Sequence, residues 1–184
     1  VVAVAQAREG VDASEVIAKV QELTGLIEPT EPVFDVPGAE KAEIYADLAR
    51  ASFLSGDDPQ PMFNTALRHA LEETSNLRTN AYIEIAKAQL DVGIDARNTL
   101  TLARDWASGI VKPDEPDGSW GSAIQIIDWE YVFRAQLEGQ YFDEARETLK
   151  LFERYPEEEV AAYTAGLLAA LGRAQMLSIY NTHV

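Results

Sequence analysis

The chain contains no cysteine, which excludes disulfides and thiol chemistry and leaves the redox compartment open. Its two histidines, His69 and His183, are far apart, so helical spacing cannot build a metal site from paired imidazoles. No apolar run reaches the ~20 residues that span a bilayer, so no membrane insertion is expected. β-Branched runs are short and no segment alternates apolar and polar residues for long, which argues against strands. Cations are scarce: 15 lysines and arginines face 31 aspartates and glutamates, for a net charge of −16. That charge opposes nucleic acid and anionic membranes and steers basic partners inward, although the same acid also serves simply to keep a chain in solution.

Catalytic patterns are also missing. The serines and threonines have no histidine or lysine arrangement that suggests a nucleophile. Glu72-Glu73 and Glu157 to Glu159 read as solvated helix starts or faces. Gly118-Ser119-Trp120-Gly121 follows no strand and makes no phosphate cradle. The expectation is a protein that is not an enzyme and needs no metal or cofactor.

What is abundant is alanine and leucine. The 184 residues suffice to bury roughly 70% of the unfolded surface, and an all-α class follows. The grammar is clearest in Ala81 to Thr101, AYIEIAKAQLDVGIDARNTLT. Ile83, Ile85, Ala86, Ala88 and Leu90 form an apolar stripe opposite Glu84, Lys87 and Asp91. Gly93 then closes the helix, because glycine enters the left-handed region at low steric cost. Asp95 caps the next helix, a contribution of about 1 kcal/mol. Leu100, Leu102, Ala103 and Trp106 supply that helix's packing face.

Four other stretches repeat this pattern, so one domain over 1–184 is expected to hold hairpins at about 1–24, 39–74, 77–110, 119–155 and 157–182. Their stops are Gly10, Gly56, Gly93, Gly139 and Gly172. Asp12 with Glu15 makes a capping box in the first hairpin, and Asp58 with Pro59 restarts the second. An offset of 37 pairs Tyr45 with Tyr82, Asp47 with Glu84, Leu48 with Ile85, Arg50 with Lys87 and Phe53 with Leu90. Trp129 and Arg134 fall near the same two phases in the fourth hairpin. Proline-rich loops at 28–38 and 111–121 match one another and mark a duplicated two-hairpin unit. Val1 to Ala7 fits a secretory cleavage pattern, but VAVAQAREGVDASEV lies directly over IAKAQLDVGIDARNT. The chain is therefore expected to begin inside a repeat helix, as a piece of a longer protein.

Gly139 to Pro156, GQYFDEARETLKLFERYP, resembles the glycine, aromatic, small alanine and closing proline of the tetratricopeptide-repeat superfamily. One extra residue lies between Gly139 and Ala145. The resemblance implies a right-handed α-solenoid of about five antiparallel hairpins, whose first helices line a concave groove for a peptide or partner protein. Carried onto this chain, the groove positions are Tyr45, Arg50, Tyr82, Lys87, Gln89, Trp129, Arg134 and Gln136.

Each candidate has a structural alternative. Arg50 and Lys87 follow acids by three residues, so they either brace their own helix through Asp47 and Glu84 or form, with Arg134, a basic ladder for carboxylates of a bound segment. The aromatics either contact a ligand or pack between repeats. The proline loops either bridge hairpins or present Phe34 and Trp120 as anchors. Together these features predict a protein-interaction scaffold. The alternatives are a self-assembling array joined through its end faces, and the helical accessory domain of a larger enzyme.

Overall fold

Alanine sets how closely the helices of this protein approach. The computed structural model describes residues 4–5, 9, 13–25, 37–75, 77–109, 118–155 and 157–182. Among these are eight α-helices and no strand. They are α1 (Ser14–Gly25), α2 (Pro37–Leu54), α3 (Gln60–Glu72), α4 (Leu77–Asp91), α5 (Arg97–Gly109), α6 (Gly118–Glu138), α7 (Phe142–Leu151) and α8 (Glu157–Thr182). The all-α class is as expected. The stop at Gly10, the cap at Asp12, Phe34, Pro156 and His183 lie outside the described residues.

The described chain forms two compact units, residues 1–99 and 100–184, with the division inside α5. In the first unit α3 folds back on α2, α4 packs on both, and α1 packs on α2. Ala39, Ala42, Ala46, Ala49 and Ala51 are all buried along α2. Without side chains beyond Cβ at these positions, the neighbouring backbones come close and pack densely. Ala81, Ile83, Ile85, Ala86 and Ala88 give α4 a similarly broad buried face. The returning helix α3 is instead one-sided, burying Phe63, Ala66 and Ala70 at helical spacing. In the second unit α7 folds back on α6 and α8 packs on both. Its core joins Trp129 and Phe133 of α6 to Leu149, Phe152, Val160, Leu167 and Leu171.

Three hairpins turn at the same joint. The amide of Gly56 donates to Phe53 O and that of Asp57 to Ser52 O; Gly93 and Ile94 repeat the pair on Leu90 and Gln89, as do Gln140 and Tyr141 on Leu137 and Gln136. This is the Schellman closure, in which a left-handed residue lets two amides satisfy the last free carbonyls. The left-handed residues are Gly56 (φ 88°), Gly93 (φ 74°) and Gln140 (φ 58°). The fourth stop is therefore Gln140, one residue after the expected Gly139, and the extra residue before Ala145 belongs to the turn. Gly139 is needed for room: a Cβ there would stand 2.5 Å from the Tyr141 ring.

Two element ends depart from expectation. Pro37–Gly38 and Gly118–Gly121 start α2 and α6 instead of lying in the proline loops 28–38 and 111–121. The fifth hairpin is a single helix, because α8 runs straight through Gly172. Gly56 and Gly93 are followed within two residues by an aspartate, whereas Gly172 is followed by Arg173-Ala174-Gln175. Those are strong helix formers with no capping oxygen, so one glycine, costing about 1 kcal/mol, does not stop the helix.

Candidate functional site

The expected groove residues share a phase on α2, α4 and α6, and the structure divides them into interior and surface groups. Trp129 is fully buried. Its ring stands edge-on to Phe152 at 5.5 Å and to Tyr155 at 5.8 Å, and its Nε1 donates to Ser108 Oγ. Tyr82 is 3% exposed, and burial raises its phenol above the ordinary range against the opposing pull of Arg78. Both are packing residues. Tyr45 is half-buried and stacks on His69 with centroids 5.5 Å apart.

Gln89 and Gln136 also face inward. Thr99 Oγ1 donates to Gln89 Oε1 at 2.8 Å, and Thr148 Oγ1 donates to Gln136 Oε1 at 2.8 Å. All four side chains are buried, so each bond ties the two helices of a hairpin together and satisfies polar groups that would otherwise be costly there. The glutamine phase was visible in the sequence. The threonines were not singled out, although each lies on the returning helix after such a glutamine. In the second hairpin Ser52 of α2 takes the place of these glutamines.

Arg50, Lys87 and Arg134 each meet carboxylates of this chain. Arg50 donates to Asp47 and, across to α4, to Asp91, both at 2.8 Å. Lys87 pairs with Glu84 at 2.7 Å. Arg134 directs two nitrogens at one oxygen of Glu130, at 2.7 and 2.9 Å. Asp91 escaped sequence reasoning because its partner lies 41 positions away.

Glu43 of α2 stands among other carboxylates. Glu40, Glu43 and Asp47 recur on α2 at helical spacing, and Glu84 and Asp91 stand on the neighbouring α4. Glu43 retains access to solvent, yet its carboxyl is raised above the usual range, first by partial desolvation and then by repulsion from Glu84, Glu40 and Asp47. His69 shifts the other way: burial lowers it, against the favourable hydrogen bond to Glu72. Among the described residues no cluster of three or more metal-ligating side chains is placed to hold an ion, and no helix is long and apolar enough to cross a membrane.

Comparisons with protein-family models, with curated proteins and with solved structures returned no match.

Proposed function

We propose that this protein is an interaction module: a tetratricopeptide-like, right-handed α-solenoid whose first helices receive an extended basic segment of a partner protein. The observation that carries this reading is the environment of Glu43, whose charge is opposed by three neighbouring acids. A basic ladder for incoming carboxylates has little support, since each of its three cations already meets an acid of the same chain. A lysine- or arginine-rich segment laid along α2 and α4 would instead relieve existing repulsion and add charge-assisted hydrogen bonds. Most of the residues first assigned to the groove serve in this reading as its framework. Glu40 and Glu43 form its surface, while Asp47 and Glu84 hold Arg50 and Lys87.

The test is titration of the purified chain with lysine-rich and glutamate-rich peptides of equal length. The lysine-rich peptide should bind more tightly, lose affinity as salt shortens the range of the field, and bind several-fold more weakly to Glu40→Gln/Glu43→Gln. Equal affinity for both peptides, or unchanged binding by the double variant, would remove the proposal.

A further inference from the structure

α8 is covered on one side. Val160, Leu167 and Leu171 form its buried edge in the core of the second unit. On the opposite side Ala162, Gly166, Ala169, Arg173, Met176 and Tyr180 are all exposed, and successive steps of four, three, four, three and four residues make them one straight stripe. Met176 is 66% and Tyr180 68% exposed, flanked by exposed Leu168, Leu177 and Ile179. A helix that is apolar all round normally packs on more than one side. α2 and α4 do so here.

The stripe is self-complementary. Its spacing reads the same in both directions, while its side chains run from small to large. An antiparallel copy, centred level with Leu171, sets Tyr180 over Ala162, Met176 over Gly166 and Arg173 over Ala169. Two-fold symmetry makes each of these pairings twice. The space is free, since a Cβ at Gly166 would meet nothing within 4 Å.

Charge points to the same occupant. The chain carries a net charge of −16, yet from Val160 to Thr182 its only charged residue is Arg173. Two such acidic molecules repel over most of their surfaces, and along this stripe no carboxylate faces another. The Arg173 stem can lie along the neighbouring Ala169 while its guanidinium reaches the solvated rim. We infer that α8 is a dimerisation helix, pairing antiparallel with α8 of a second copy through this small-to-large stripe. The inference is independent of the acidic surface on α2 and α4.

Sedimentation equilibrium of the full chain should show a monomer passing to a dimer, and no further, as concentration rises. Gly166→Leu should weaken dimerisation at least tenfold by filling the seat of Met176. Because its site is exposed and helical, its thermal stability measured at dilutions where both proteins are monomeric should not fall. The absence of native cysteine gives a second readout. When Gly166→Cys and Met176→Cys chains are mixed and oxidised, the mixed disulfide should exceed both like-with-like products. A monomer at every concentration, growth beyond a dimer, unchanged assembly of the leucine variant, or predominant linkage between two Gly166→Cys chains would each overturn the inference.

Discussion

α4 and α8 occupy the same place in their respective units. Each packs on both helices of the hairpin before it, and each is apolar around most of its circumference. Yet α4 buries residues over most of its circumference and leaves the side of Glu84, Lys87 and Asp91 to solvent, whereas α8 holds its buried residues on one edge and exposes Met176, Leu177, Ile179 and Tyr180. Their compositions differ as well: α4 carries Arg78, Glu84, Lys87 and Asp91, whereas between Val160 and Thr182 α8 carries only Arg173. The α4 hairpin supplies a return helix fastened through Thr99 and Gln89. α8 continues uninterrupted through Gly172 to Thr182. All-round hydrophobicity thus identifies a helix built to be enclosed, without identifying what encloses it.

The comparison can be broken most severely at Trp129. Trp129→Ala should destabilise the second unit by about 3 to 5 kcal/mol, as expected for a large buried aromatic. Chemical denaturation followed by circular dichroism should show this loss as a transition moved to lower denaturant. Next is the polar tie: Thr148→Val leaves Gln136 Oε1 buried without its donor and should cost about 1 to 3 kcal/mol. Adding Gln136→Leu should return part of that loss, and strict additivity in the double-variant cycle would show that the two side chains do not interact.

A smaller effect is expected where the two units turn differently. Gly93→Val places a β-branched side chain at φ 74° and should cost about 1 to 2 kcal/mol. Gln140 already carries a side chain in this region, so Gln140→Ala should change stability far less. Equal losses at both sites would mean that the shared turn geometry does not govern stability.

The smallest effects concern pH. His69 is lowered in the folded protein, so the unfolded chain takes up a proton first as pH falls. Its contribution is fully present above the ordinary histidine value of about 6.5 and is lost as pH falls through the lowered folded value. Stability measured across this range should decline less in His69→Phe, which keeps a ring against Tyr45. Glu43 has the opposite sign: its raised carboxyl contributes fully below the ordinary glutamate value and loses that contribution as pH rises through the folded value. Glu43→Gln should therefore stabilise the protein slightly at pH 7, by no more than about 0.5 kcal/mol at this solvent-accessible position.

The helix-forming pattern, the stops at Gly56 and Gly93 and the cap at Asp95 were legible because they depend on neighbours a few residues apart. Asp95 indeed accepts from the Arg97 amide. The stop at Gln140 was hidden because glycine stood beside it for another reason. Gly172 suggested a turn because glycine alone is ambiguous without the residues that start another helix. The roles of Trp129, Gln89 and Gln136 could be narrowed to a phase but not to interior or surface, since that depends on which helix returns against them. Asp91 and the crowding of Glu43 arise between helices distant in sequence, and no local spacing encodes them.

The two glutamine–threonine ties measure distance through space and not along the chain. Each glutamine precedes its left-handed residue by four positions, but Thr99 follows Gly93 by six and Thr148 follows Gln140 by eight. The same fastening thus accepts connections of different lengths. Insertions between stop and return should be tolerated more readily than replacement of either fastened side chain, so that diversification of such hairpins would accumulate in their connectors while the internal lock stays fixed.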